Sequence, residues 1–137
     1  MIIRKERGNI FGTNCKHIIF AVNTEGINDS GFAGQVSGNY WPALAHIGPK
    51  PLGTVLSIKE EGGKTFHAIV CHSLRKGWQK APKMVEECLN NFDVPDDEPI
   101  ASVQIGGGLI GQMSGADFPA IIQAMERSKK SIVLYTR

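Results

Sequence analysis

The stretch from Ile100 to Asp117, IASVQIGGGLIGQMSGAD, restricts this chain more than any other. An apolar run, Ile100 to Ile105, enters a loop holding Gly106, Gly107, Gly108, Gly111 and Gly115, and helical spacing begins at Phe118, Ile121, Ile122 and Met125. That order predicts strand, glycine loop, helix. A residue without Cβ reaches positive φ and lets a ligand approach backbone N–H groups, and the helix start that follows adds partial positive charge. Phosphate is the guest such a bend suits. The spacing Gly106, Gly108, Gly111 also fits G-x-G-x-x-G, but a dinucleotide site needs an acid about 20 residues further on, at the tip of the next strand. That strand, Ser131 to Thr136, carries none. A tight turn that binds nothing is the other reading of the loop.

The remaining segments predict an alternation of strands and helices. Ile2 to Glu6 reads as a first strand ending at Gly8 and Asn9, followed by Ile10 and Phe11 before a polar turn. His17 to Val22, HIIFAV, is a continuous apolar run, the pattern of a strand covered on both faces. Asn23 to Gly34 is a glycine-containing loop feeding a helix, with Asp29 or Ser30 as N-cap and Pro42 and Gly48-Pro49 as limits. Pro51 to Lys59 and Lys64 to Cys71 flank Glu60–Gly63 as a hairpin. A helix is predicted from about Ala81 to Phe92, with Met84, Val85, Cys88 and Leu89 at helical spacing, and Asp93–Pro99 reads as a solvated acidic turn. The sum is one α/β domain over residues 1–137, a mixed central sheet with helices on both faces, a three-layer sandwich. Ligands in such folds sit at the carboxyl ends of the strands. Three segments meet that description: Asn23–Gly34, Cys71–Trp78 and Gly106–Gly115.

Bulk chemistry narrows the partners. A net charge of +2 gives no argument for nucleic acid, and the one basic cluster, Arg127, Lys129 and Lys130, reads as a solvated helix end. Cys15, Cys71 and Cys88 are odd in number and without a CxxC pair, and no secretory apolar segment stands out, so a reduced, cytoplasmic setting is expected. No run approaches the roughly 18 apolar residues of a membrane span. His17, His46, His67 and His72 lack zinc spacing, so neither metal nor cofactor is expected.

At this point the residues resemble the macro domain, the ADP-ribose-binding fold, in its short members that include ADP-ribose-1''-phosphate phosphatases and phage proteins. Asn23, Gly26, Ile27, Gly31, Phe32 and Ala33 look like the family's first glycine loop, and Ile105 to Gln112, IGGGLIGQ, looks like its I-G-x-G-L-x-G element. Gly8 to Phe11, GNIF, resembles the family's G-D-[IL]-F start, and SIVLYT agrees in character. The resemblance implies a cleft for ADP-ribose: adenine near Asn9 and Ile10, diphosphate over the bends at Ser30, Gly31, Phe32 and Ala33 and at Gly106–Gly111 with Leu109 and Ile110, and the far ribose between Asn23 and the Gly106 loop. Backbone N–H groups at two loop-to-helix transitions can hold a diphosphate without a lysine cluster.

Departures bear on turnover. The family's adenine-reading aspartate falls on Asn9, which keeps an acceptor oxygen but no charge. Asp29 stands where the motif has its first loop glycine, and its expected role is to cap the helix. The lysine and aspartate of the terminal glycohydrolases fall on His72 and Ile110, so that mechanism does not transfer. Catalysis would rest on Asn23 orienting a ribose hydroxyl or water, on His72 at the cleft rim as general base, and on Asp29. The expectation is binding of ADP-ribose or a related nucleotide without turnover, a cyclic relative included. The alternatives are a hydrolase of ADP-ribosyl groups or of ADP-ribose-1''-phosphate, and an interaction domain with a vestigial cleft.

Overall fold

The computed structural model describes residues 1–136, apart from the side chains of Leu109 and Ile110. Its elements run β1 (Ile2–Arg7), β2 (His17–Asn23), α1 (Gly31–Asn39), β3 (Val55–Lys59), β4 (Thr65–His72), α2 (Ala81–Asn90), β5 (Pro99–Ser102), α3 (Leu109–Met113), α4 (Phe118–Arg127) and β6 (Ser131–Thr136). The six strands form one sheet in the order β1-β6-β5-β2-β4-β3. All neighbouring pairs are parallel except β3 with β4, which is the antiparallel hairpin around Glu60–Gly63.

The apolar run of β2 is explained by what covers it. Ile19 belongs to a core shared with Val85 and Leu89 of α2 and Ile121 and Met125 of α4, while Ile18, Phe20 and Val22 join Val36 of α1, Trp41 and Leu44 on the other face. Successive side chains of a strand point to opposite faces, so a strand with helices on both sides must be apolar at every position. Phe20 is fully buried, worth roughly 2–3 kcal/mol against leaving it in water. β4 alternates likewise, with Phe66, Ala68 and Val70 toward α1 and Ile69 and Cys71 toward α2 and α4.

Element ends differ from the sequence reading where tertiary contacts decide. β5 stops at Ser102 because Ile105 turns into the core, its N–H bonded to the Val103 carbonyl at 2.9 Å. α2 ends at Asn90, and Phe92 lies beyond it, edge-on to His67. The glycine loop also contains the five-residue helix α3, which its composition gave no reason to expect.

Of the basic cluster, Lys130 alone departs from the reading as a solvated helix end. Lys130 is buried, and its ammonium donates to the Val94 carbonyl and to Asp96 Oδ1 at 2.8 Å. Arg127 pairs with Glu86 at 2.8 Å. The segment after α2 is therefore pinned to the start of β6, because a buried ammonium needs its partners at hand, while Asp93, Asp96 and Asp97 stay exposed as expected of the acidic turn. Among the described residues, no helix is long and apolar enough to cross a membrane, and no three His, Cys, Asp or Glu side chains gather as a metal set.

Candidate functional site

Strands β2, β4 and β5 are parallel neighbours, so the loops leaving Asn23, His72 and Ser102 emerge at one edge of the sheet. The three segments singled out in the sequence are thus brought together. Their glycines divide into two kinds.

Most of them are used by the protein itself. Gly26 has φ +73°, and a Cβ there would overlap the Gly48 carbonyl. The segment after β2 lies against residues 44–50, with Asn28 N–H on Ala45 O, Ile47 N–H on Gly26 O and Lys50 N–H on Thr24 O. Gly26 therefore serves loop packing. In the second loop, a Cβ on Gly106 would stand 2.8 Å from Ile121 Cδ1, one on Gly107 2.9 Å from the Phe118 ring, and one on Gly111 3.0 Å from the Gly106 carbonyl oxygen. Close packing of the bend onto α4 requires the first two, and packing of α3 against the bend requires the third.

Three glycines face open space: a Cβ at Gly31, Gly108 or Gly115 meets nothing within 4 Å among the described residues, and Gly31 and Gly108 are the two at helix starts. Gly31 has φ +61° and begins α1, whose N-cap Ser30 makes no side-chain cap bond. The first helical bond of α1 comes from Gly34 N–H to Ser30 O at 2.9 Å, and the N–H groups of Gly31, Phe32 and Ala33 have no partner among the described residues. An uncapped helix start with free donors is suited to an anion. Leu109 and Ile110 open α3, and the expectations placed on their side chains lie outside the described residues.

Asp29 does not cap α1. Its carboxylate lies 3.8 Å from His46 Nε2, with both side chains more than half exposed. Asn28 beside it is buried and donates to Leu44 O, while its own Oδ1 has no partner among the described residues. Asn9 caps the short 3-10 turn Ile10–Gly12, with Oδ1 accepting from Phe11 N–H at 3.0 Å. The oxygen expected to read adenine is shared with this cap, with one lone pair left over. Ile10 is buried in the core. Phe11 is stacked between Phe32 at 5.1 Å and Tyr40 at 5.3 Å, so an aromatic edge runs alongside the start of α1.

The residues offered for catalysis are held otherwise than expected. Asn23 is buried, and its amide bonds both backbone groups of one residue: Nδ2 donates to Ile27 O at 2.7 Å, and Oδ1 accepts from Ile27 N–H at 3.1 Å. It closes its own turn. His72 is not on a rim; it is buried and stacked on Trp78 with ring centroids 3.8 Å apart and planes 8° from parallel. Burial lowers its pKa to about 4, against a partial upward pull from Glu25, so the imidazole is neutral. A Cβ on Gly106 would stand 3.5 Å from Trp78, so this stack supports the second glycine loop from below.

Sequence reasoning missed Glu25. Its carboxylate accepts from the Ser73 hydroxyl at 2.7 Å and from Leu74 N–H at 2.8 Å, tying the loop after β2 to the loop after β4. Desolvation raises its pKa, but the Leu74 N–H, the Ser73 hydroxyl and further bonds from its own turn outweigh that and hold it at about 2. No local motif marks it, because its partners lie 48 and 49 residues away.

No family model matches the sequence, and no curated protein matches it. Among solved structures, the chain is similar to the macrodomain of Mycobacterium tuberculosis DarG, with 14% identity, TM-score 0.68, and 100% of this chain and 98% of that one covered. It is similar to an Oceanobacillus iheyensis macrodomain solved with ADP, with 14% identity, TM-score 0.62, and coverage of 95% and 81%. It is similar as well to Thermosipho africanus DarTG in complex with ADP-ribose, with 15% identity and TM-score 0.64; the match takes in 97% of this chain but 41% of that longer one.

Proposed function

Because the chain has the macrodomain fold, we propose that it binds ADP-ribose or a related ADP-ribosyl nucleotide at the edge where the loops after β2 and β5 emerge. The single observation that carries this reading is the start of α1, where three successive N–H groups have no partner among the described residues, beside a glycine whose Cβ position none of them fills. Gly108 leaves similar room at the neighbouring bend. The diphosphate lies across these two positions, and adenine lies against the Phe11–Phe32 edge, where stacking supplies the contact that Asn9 no longer offers freely. Similar structures contain ADP or ADP-ribose, which supports the ligand class.

Binding without turnover is favoured over hydrolysis because Asn23 is spent on its own turn, His72 is buried and stacked on Trp78, and Asp29 faces His46. Calorimetric titration with ADP-ribose tests the proposal. The expected result is one site with a micromolar constant, about −8 kcal/mol, and weaker heat with AMP, which lacks the second phosphate. Absence of heat with ADP-ribose and ADP alike would remove this reading and promote an interaction domain. Accumulation of ribosyl or phosphate product from an ADP-ribosylated protein or from ADP-ribose-1''-phosphate would promote the hydrolase.

A further inference from the structure

At the other end of the sheet, away from the loops just described, four side chains from β2, β3, β4 and the turn before β5 form a chain of contacts. Ser57 Oγ lies 2.6 Å from His67 Nδ1, His67 Nε2 lies 2.9 Å from His17 Nδ1, and His17 Nε2 lies 3.7 Å from Glu98 Oε1. The antiparallel register sets Ser57 directly opposite His67, and the parallel pairing of β2 with β4 sets His17 one strand further in. The chain borders a cavity of about 490 Å³ that Val55, Phe92 and Val94 line with apolar surface.

The direction of the protons is set by the tautomer of His17. When neutral His17 carries its proton on Nε2, 3.7 Å from the Glu98 carboxylate, its Nδ1 is an acceptor. His67 must then donate from Nε2, which leaves its Nδ1 bare. The hydroxyl of Ser57 has one way to complete the set, which is to donate to His67. Two assignments satisfy the two hydrogen-bonded contacts, and the one in which Ser57 donates is the arrangement in which an imidazole removes a proton from a nucleophilic hydroxyl. Exposure agrees: Ser57 is exposed, whereas His67 is 7% exposed.

From this geometry we propose that Ser57 is a nucleophile with His67 as its base, His17 and Glu98 as positioning residues, and that the adjoining cavity accepts a small uncharged carboxylic ester. The cavity is of a size that holds small ligands. Glu87 and Asp93 at its border disfavour anions, and Val55, Phe92 and Val94 suit an acyl or aryl group. Asn91, whose side chain has no partner among the described residues, borders the same space and provides an N–H donor for a carbonyl oxygen. In the first step Ser57 Oγ bonds to the carbonyl carbon, its proton passes to His67 Nδ1, and the ester C–O bond breaks as the departing alcohol takes that proton. Water then attacks the acyl-serine, giving its proton to His67, and the carboxylic acid leaves as Ser57 recovers a proton. This site is independent of the nucleotide reading.

A fluorophosphonate probe applied to the intact protein tests it. One adduct is expected, mapping to Ser57 by peptide mass spectrometry and absent from Ser57→Ala. His67→Ala should slow labelling by about 100-fold, and added imidazole should restore it, which a purely structural histidine would not permit. No adduct on Ser57 in protein that melts cooperatively would overturn the proposal, as would an unchanged labelling rate in His67→Ala. Should His67→Ala fail to fold, the comparison of wild type with Ser57→Ala decides alone.

Discussion

His72 lies flat on Trp78, 3.8 Å between ring centroids, and this stack joins the end of β4 to the underside of the second glycine loop. A charged imidazolium there would have to shed its water, and burial accordingly lowers the pKa of His72 to about 4. His67 is lowered to about 4 as well, by burial first and by the neighbouring His17 second.

Both histidines tie stability to pH. In the unfolded chain each takes a proton near pH 6.5, but in the folded protein only near pH 4, so between these values the unfolded state holds more protons. Stability is complete above pH 6.5 and falls as the pH drops toward 4, by at most about 3 kcal/mol for each histidine. Thermal melts from pH 7.5 to 4 should show a falling midpoint, with a shallower slope in His72→Gln. A flat profile over that window would contradict the burial argument. Glu25 acts lower down, because its folded pKa of about 2 lies below the ordinary 4.5 and its contribution is lost only as the pH falls through that range.

Glycines of one loop should behave oppositely. Gly108→Val introduces a side chain where nothing lies within 4 Å, so the fold is kept and ADP-ribose heat is lost. Gly106→Val places a side chain on Ile121 at a residue with φ +77°, so stability falls first, by more than about 2 kcal/mol. Urea melts paired with titrations separate the two. A Gly108→Val protein that binds as tightly as wild type would remove Gly108 from the site.

Asn23→Ala should act as a folding mutation. It strips two bonds from the Ile27 peptide and leaves buried polar atoms, at a cost of about 2 kcal/mol. Equilibrium unfolding measures this directly. If stability were unchanged while binding vanished, Asn23 would belong to the ligand instead.

Lys130→Met should lower stability by about 2 kcal/mol, because the lysine is buried and holds the Val94 carbonyl as well as Asp96. Asp96→Asn should cost less, since Asp96 faces water and an amide oxygen still accepts from the ammonium. Reversal of that order in denaturant melts would show that the exposed charge, not the buried donor, secures the turn.

Local pattern fixes period, and period alone identified most of the fold. Alternation and continuous apolar runs located the strands, the Glu60–Gly63 hairpin and the helices at Ala81 and Phe118, and the glycine loops placed the candidate site at the strand ends. What it left open was which glycine serves a ligand and which serves packing, since Gly106 and Gly108 are alike in sequence and differ only in what stands over them. The same holds for polar side chains. Asn23, His72 and Asp29 have residue types suited to catalysis, yet their partners are an Ile27 peptide, a Trp78 ring and a His46 imidazole. Ser57 and His67 are ten residues apart, and His17 and Glu98 are farther still. Only the pairing of β2, β3 and β4 brings them into line, because sheet register, unlike helical period, couples residues without regard to their distance along the chain.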